Sequence, residues 1–300
     1  MKSSTATGTT ATAEPYRGRF APSPTGFLHQ GSLLAALGSW LDARAHGGNW
    51  LVRMEDLDQP RTVKGAADAI LRTLDCLGLK SDGPVLWQTS RSEAYSQAAA
   101  RLRESGALYR CTCSRSGQPG VYSGHCRRHP PAAGPAAFRL KLPQHEHICF
   151  DDIFQGRQDF LTDSLGDPVL CRRDGIAAYQ LAVVVDDAFQ GITHVIRGAD
   201  LLESTAWQIA VYRALGLPQP LFGHLPLVVE PDGGKLSKSR GAMAVAQWAP
   251  GDALERTLAM LGYDPPDGLK GESVPRILDW AVAAWPPAGL AGRTEIEAAT

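Results

Sequence analysis

Within its first fifty residues the chain sets a strand, a rigid turn and a helix in immediate succession, and that succession constrains everything downstream. Tyr16 to Phe20 reads as a strand, and Pro22-Ser23-Pro24-Thr25-Gly26 as a turn with φ fixed at both prolines. A helix beginning near Gly31 then carries Leu33, Leu34, Leu37, Trp40 and Leu41 at helical spacing. A helix that starts at the carboxyl end of a strand aims free N–H groups and the positive end of its dipole at one point, which suits a phosphate. His29, just ahead of the helix, can donate to a phosphate oxygen, and Gly31 would let a nucleotide approach the backbone closely. The plainer alternative is a proline-rich turn capping a surface helix, with His29 merely exposed.

A second short motif answers the first. Lys235-Leu236-Ser237-Lys238-Ser239 follows the strand-like Leu225 to Val229, after the turn-forming Pro231-Asp232-Gly233-Gly234. Two lysines three residues apart, with small hydroxyl residues around them, can fold over a triphosphate as mobile point charges. Alone, such a loop is usually a solvated surface; paired with the first motif it reads as half of a split nucleotide site.

Periodicity supplies the frame between the two motifs. A strand is expected at Asn49 to Met54, a helix with Ile70, Leu71, Leu74 and Leu77 on one side, a strand near Val85 to Gln88 and a helix from Ser92 to Glu104. Beyond a cysteine-containing interruption, Phe138, Leu140 and Leu142 alternate as a half-exposed strand of a small, partly antiparallel unit. A helix from Ala178, a strand from Gly191 to Arg197 and a helix from Leu201 to Leu215 complete the series. Strands alternating with helices and interrupted once predict an α/β fold: a doubly wound parallel sheet split by an insertion, with ligands at the carboxyl ends of its strands.

Composition excludes some classes. The chain has 300 residues with 44% hydrophobic content, enough for a large core in two lobes, and no apolar run long enough to span a bilayer. Residues 1–15, rich in Ser, Thr and Ala, are too polar for a signal peptide and too poor in Arg for a typical transit peptide, so a disordered extension on a cytoplasmic protein is expected. The net charge of −1 argues against broad capture of nucleic acid. Between Glu104 and Glu146, however, no acidic residue occurs while Arg110, Arg115, Arg127, Arg128, Arg139 and Lys141 do, so a local basic face for RNA is plausible beside the alternative of solvated arginines.

Three of the six cysteines fall in this segment, Cys111 and Cys113 as a Cys-x-Cys pair and Cys126 after a glycine- and proline-containing loop. With nothing suggesting secretion, they read as a structural zinc knuckle more readily than as disulfides. The fourth ligand is open on residue chemistry alone: His125 or His129 is favoured, because imidazole is a far commoner zinc ligand than phenol. Cys76, Cys149 and Cys171 lie in apolar or strand-like contexts and are expected in the core.

The two nucleotide motifs together resemble the signature pair of class I aminoacyl-tRNA synthetases. The wording of Arg19-Phe20-Ala21-Pro22-Ser23-Pro24-Thr25-Gly26, followed by Trp50-Leu51-Val52-Arg53-Met54-Glu55-Asp56-Leu57-Asp58, resembles the glutamyl branch. His29-Gln30-Gly31-Ser32 ending in Ser, with Leu34-Ala35-Ala36-Leu37-Gly38-Ser39 after it, is similar to the short paralogues of that branch. The likeness runs from about Tyr16 to about Gly262. It implies a Rossmann-like catalytic domain in two halves, 16–107 and 176–241, an inserted zinc-binding subdomain over 108–175, and a short helical segment and tail over 242–300.

The resemblance also implies roles. Glutamate carries two carboxylates and one ammonium, so a selective pocket needs an arginine fork and a fixed carboxylate. Arg19 would hold the side-chain carboxylate and Glu55 the α-amino group. Tyr179 and Arg197 would form the remaining wall, with Phe20, Ala21, Pro22 and Ser23 contributing from the turn. His29, Gly31, Ser32 and Lys238 would bind ATP, with His29, Lys235 and Lys238 catalytic and Mg²⁺ neutralising the triphosphate. Cys111, Cys113, Tyr122 and Cys126 would hold one structural Zn²⁺, so here the resemblance points to Tyr122 where residue chemistry favours His125. The implied product is glutamyl adenylate, formed without tRNA; a monomer is expected separately, because the sequence shows no exposed apolar helix. Because the lysine loop ends at Ser239 of 300 residues, the large helical domain that grips an anticodon is expected to be absent. The implied acceptor is then the queuosine base in the anticodon stem-loop of tRNA(Asp). The competing expectations are a truncated glutamyl-tRNA synthetase charging tRNA(Glu), a small-molecule ligase working through an aminoacyl adenylate, and a catalytically inactive synthetase-like RNA-binding protein.

Overall fold

The computed structural model describes residues 15–114, 120–229, 245–287 and 289–297. Strand β1 (Arg17–Phe20) leads through the proline turn into helix α1 (Gln30–Ala45), and β2 (Asn49–Met54) returns beside β1 in parallel, Arg17 opposite Asn49 and Phe20 opposite Val52. After α2 (Ala66–Cys76) the short β3 (Leu86–Trp87) adds to β2, again in parallel, and α3 (Ser92–Glu104) follows.

The chain then leaves the sheet. Strands β4 (Leu108–Cys111) and β5 (Ala137–Leu140), with the one-turn helix α4 (His125–Arg128) between them, are joined by β8 (Val169–Cys171) into a small antiparallel sheet in the order β4-β5-β8. Between β5 and β8 lies an antiparallel hairpin, β6 (His147–Asp152) and β7 (Gly156–Leu161), followed by the short α5 (Thr162–Leu165). Re-entry comes with α6 (Tyr179–Gln190), β9 (His194–Gly198), α7 (Leu202–Leu215) and β10 (Leu221–Leu225), β9 and β10 pairing in parallel over five residues.

Two sets of contacts place these halves edge to edge as a three-stranded sheet beside a four-stranded one. The Thr193 N–H donates to the Arg17 carbonyl at 2.9 Å and the Arg17 N–H to the Thr193 hydroxyl at 2.8 Å, which seats the segment entering β9 against β1. On the far side β10 meets β6 in parallel at Phe222 and Asp152, so the hairpin of the excursion edges the main sheet. With the edges β1 and β9 adjacent, the strands of the two sheets follow in space as β3-β2-β1 and then β9-β10-β6-β7. Chain order reverses between β1 and β9, the point where open α/β sheets bind ligands.

Side-chain alternation divides the core in two. On one face Trp50, Val52 and Met54 of β2, with Ile196 and Leu225, pack against α1, α2 and the later helices α8 (Pro250–Leu261) and α9 (Val274–Ala283). On the other, Val195 and Phe222 pack against α3, α6 and α7. Arg19 and Arg53 alternate away from the first core, and this is what turns both toward α6.

Two expectations change in detail. The run Leu225 to Val229 is two strands, because Pro226 lacks an N–H and interrupts it. Its second part, β11 (Leu227–Val229), leaves the main sheet and pairs in parallel with β12 (Glu295–Glu297). Cys76 is exposed, lying off the buried Ala66, Ile70 and Leu74 stripe of α2, and Cys149 and Cys171 are half-buried. The lysine loop with Lys235 and Lys238, the extension before Pro15 and Arg115 lie outside the described residues.

Candidate active site

The crossing between β1 and β9 opens into a cavity of about 260 Å³. Arg19, Phe20, Ala21, Pro22 and Ser23 line it from the end of β1 and the turn, His29, Gly31 and Ser32 from the start of α1, and Tyr179 and Arg197 from α6 and β9. Ten of the residues anticipated from sequence thus share one pocket. His29 is the N-cap of α1, with extended backbone (φ −109°, ψ 169°), and its Nδ1 accepts from the Ser32 N–H at 3.3 Å. A Cβ at Gly31 would sit 3.4 Å from the His29 ring, so glycine keeps the cavity clear there rather than relieving backbone strain.

Glu55, anticipated for the same pocket, lines instead an adjoining open groove of about 1530 Å³, and Ser23 and Tyr179 border both. It follows directly on β2, its N–H donating to the Pro22 carbonyl at 2.9 Å, which ties it to the turn. Burial pushes its carboxyl pKa up while Arg53 and Arg19 oppose that shift. Its Oε1 lies 3.4 Å from Arg53 Nη2.

The two pocket arginines differ in one decisive respect. Arg19, 3% exposed, gives its fork to Asp187, with Nε 3.2 Å from Oδ1 and Nη2 3.5 Å from Oδ2. Arg53 binds the same carboxylate at 2.7 Å, and the Tyr212 hydroxyl donates to it at 3.5 Å. The adjacent Asp186 takes Arg91 at 3.0 Å, the Tyr95 hydroxyl at 2.7 Å and Gln88 at 3.0 Å. Arg197, 5% exposed, has only uncharged acceptors among the described residues: His224 Nε2 at 3.1 Å, the Thr205 hydroxyl at 2.7 Å, the Tyr179 hydroxyl and the Leu201 carbonyl, each of the last two at 3.4 Å. Burial accordingly lowers the Arg197 pKa, whereas burial of Asp187 is outweighed by Arg19 and Arg53, which hold that carboxyl below its usual range. A buried guanidinium whose hydrogen-bond acceptors among the described residues are all uncharged is a candidate receptor for an anionic group, even with Asp200 elsewhere on the cavity wall.

Sequence reasoning missed Asp186, Asp187, His224 and Asp152. A signal existed for the first two: adjacent acids inside the apolar run Leu181-Ala182-Val183-Val184-Val185 must find buried cations. For His224 and Asp152 nothing in the local sequence announces a pair.

Along the groove the knuckle takes shape. The Sγ atoms of Cys111, Cys113 and Cys126 all lie within 4.8 Å of one another, those of Cys113 and Cys126 at 3.4 Å. The Tyr122 hydroxyl stands 3.6 Å from Cys111 Sγ and accepts the Cys126 N–H at 2.9 Å, while His125 meets His129 in a tilted pair with ring centroids 5.2 Å apart. Three thiols converging at this range form a donor set that fits a soft tetrahedral cation such as zinc. Burial alone would raise the Cys126 thiol, but the Thr112 backbone and the neighbouring thiols bring it down to about 7, close to ionisation. The arginines of this segment are largely engaged in the fold. Arg110 binds the Gly134 carbonyl, Arg127 that of Leu142 at 2.7 Å, Arg128 that of Ser123 at 2.8 Å, and Arg139 stacks on Tyr122.

The catalytic-domain family of class I tRNA synthetases (E and Q) matches residues 16–117 and 124–267. The chain is 48% identical over 273 residues to the glutamyl-Q tRNA(Asp) synthetase of Ectopseudomonas mendocina, covering 90% of this chain and 93% of that protein. It is 52% identical over 265 residues to the protein of the same name from Cupriavidus metallidurans, covering 83% and 86%. The chain belongs to the glutamyl-Q tRNA(Asp) synthetase family. It is therefore a ligase carrying the ATP-using catalytic domain of class I synthetases. Among solved structures, it is similar to a glutamate tRNA ligase from Elizabethkingia meningosepticum in complex with its amino acid, at TM-score 0.80 and 26% identity over 95% of this chain. A glutamate-tRNA synthetase from Elizabethkingia anophelis gives TM-score 0.77 and 28% identity over 88%. The chain spans 67% and 65% of the lengths of these two structures. Among the described residues no helix is long and apolar enough to cross a membrane.

Proposed function

We propose that this protein activates glutamate with ATP and ligates it to tRNA, forming glutamyl adenylate without requiring the tRNA and delivering the glutamyl group to the queuosine base of the tRNA(Asp) anticodon stem-loop. The observation that carries the reading is Arg197, a buried cation hydrogen-bonded only to uncharged acceptors among the described residues, in the same cavity as the N-terminus of α1. A substrate bearing a carboxylate and a nucleotide bearing phosphates are what such a cavity would hold together. Arg197 takes a substrate carboxylate, assisted by Arg19 in the orientation Asp187 imposes, and Tyr179 closes the wall. Glu55, across Ser23 and Tyr179, takes the α-ammonium.

In the reaction the α-carboxylate oxygen attacks the α-phosphorus of ATP. One P–O bond forms, the bond to the pyrophosphate leaving group breaks, and glutamyl adenylate stays bound. No covalent enzyme intermediate is required, so catalysis is positioning plus stabilisation of phosphoryl charge. His29, Gly31 and Ser32 at the helix N-terminus serve the phosphates, Lys235 and Lys238 close over them, and Mg²⁺ when bound neutralises the triphosphate. Attack by the acceptor on the glutamyl carbonyl then releases AMP. The open groove beside the pocket, bordered by Arg61, Arg139, Arg172 and Arg173, offers the acceptor a path to Glu55. Zn²⁺ held by Cys111, Cys113, Cys126 and Tyr122 has a structural part, bracing the groove wall.

The test is glutamate-dependent ATP–pyrophosphate exchange without tRNA, followed by charging of queuosine-containing and unmodified tRNA(Asp) and of tRNA(Glu). Exchange with labelling of queuosine-containing tRNA(Asp) alone is expected. Charging of tRNA(Glu) would replace this reading with an ordinary synthetase, and absent exchange would leave only a binding protein.

A further inference from the structure

Behind Arg197 runs a buried chain that the reaction above does not use. His224 on β10 is 0% exposed and Asp152 at the end of β6 is 4% exposed. His224 Nδ1 lies 2.5 Å from Asp152 Oδ2, and His224 Nε2 receives Arg197 Nε at 3.1 Å. Guanidinium nitrogens only donate, so Nε2 must present a lone pair, and the single proton of the neutral ring therefore sits on Nδ1, where Asp152 accepts it. Asp152 is itself fixed: its Oδ1 accepts the N–H groups of Phe154 at 3.1 Å, Gln155 at 2.9 Å and His224 at 3.0 Å, leaving Oδ2 for the ring.

We propose that His224, locked by Asp152 as its Nδ1–H tautomer, is a positioning residue of the substrate pocket, its bare Nε2 aiming the Arg197 fork at the substrate carboxylate. The inference rests on the role of Arg197 in binding glutamate. His224 does not line the cavity, so it acts only through Arg197. The groups facing its ring are Asp152 from β6, Arg197 from β9 and the Thr205 hydroxyl from α7, with the charge of Arg19 on β1 also acting on it. Burial, and after it Arg197 and Arg19, keep the imidazole neutral against the pull of Asp152. A proton on Nε2 would set donor against donor.

An inert core histidine would predict no link to substrate affinity, and two experiments separate the readings. Asp152→Asn is isosteric and keeps the Oδ1 contacts, but its amide donates to Nδ1 and drives the ring to the Nε2–H tautomer. Electrostatics alone would make this variant bind glutamate more tightly, because an anion near Arg197 is removed. The relay predicts the reverse: KM for glutamate in pyrophosphate exchange rises about 10-fold or more, KM for ATP and kcat stay within about threefold, and ¹⁵N-imidazole NMR reports the switched tautomer. Second, His224→Gln keeps an acceptor toward Arg197 and His224→Phe removes it, so KM for glutamate should rise far more in Phe than in Gln. Unchanged KM for glutamate in Asp152→Asn with a switched tautomer, or equal effects of Gln and Phe, overturns the inference while glutamate activation by the wild type stands. Absence of glutamate-dependent exchange in the wild type overturns the proposed function and this inference with it.

Discussion

Asp187→Asn is the most informative perturbation of the buried network, because one carboxylate answers two guanidiniums. Asp187 is 2% exposed and lies 2.7 Å from Arg53 Nη1 and 3.2 Å from Arg19 Nε. Removing one member of a buried ion pair leaves an uncompensated charge and is destabilising by about 3–5 kcal/mol. The asparagine oxygen can still accept from Arg53, which places the effect toward the lower end. With an unfolding entropy of roughly 2.1 cal/mol/K per residue, a chain of this length converts that loss into a fall in Tm of about 5–8 °C. The pH dependence has a definite sign. Arg19 and Arg53 lower the Asp187 pKa in the folded state against the effect of burial, so its contribution is present in full above the unfolded value of about 3.9 and is lost as pH falls through the lower folded value. Calorimetric melts of wild type and variant should therefore differ most near neutral pH and converge below about pH 4. A variant melting within a degree of wild type at pH 7, or a gap that ignores pH, would refute the account of this cluster.

Other changes probe the site separately. Arg197→Met should raise KM for glutamate about 10²- to 10³-fold in pyrophosphate exchange, yet lower Tm less than Asp187→Asn, because it removes a buried cation whose hydrogen-bond partners among the described residues are all uncharged. Metal analysis of purified protein should find about one zinc per chain, lost in Cys126→Ser; Tyr122→Phe should weaken retention against a chelator about 10- to 100-fold, while His125→Ala leaves it unchanged. Lys238→Ala should lower exchange by about 10²–10³ with an unaltered melt, and exchange near the wild-type rate would remove the lysine from the nucleotide site.

Much of the frame was legible in the sequence because it rests on local signals. The span of α3 and the bounds of β2 follow from periodicity, and the strand β5 from alternation at Phe138 and Leu140, although it ends before Leu142. What was not legible is long-range pairing. The parallel partner of β11 is β12, some seventy residues downstream, and the hairpin β6-β7 inside the excursion belongs by hydrogen bonding to the main sheet. Site residues on the turn could be anticipated because turn and helix start are contiguous. The partners that orient them could not, since Asp187 reaches Arg19 across 168 positions of sequence.

That distance also explains why the local sequence does not reveal how the surroundings of Arg19 and Arg197 differ. Both stand at carboxyl ends of neighbouring strands, and a strand end alone says nothing about what α6 brings opposite it. Alternation turns Arg19 toward α6 and its acids, which fixes the guanidinium and compensates its charge. Arg197 meets a histidine, two hydroxyls and a carbonyl, so its hydrogen bonds are made to uncharged groups while its charge is answered from further off, by Asp187 and, through His224, by Asp152. A fold optimised for stability alone would place a carboxylate there, or replace the arginine by an apolar side chain of similar volume. Retaining the cation with its donors held by uncharged acceptors leaves a site for a ligand carboxylate, since none of its hydrogen-bond partners among the described residues is a carboxylate.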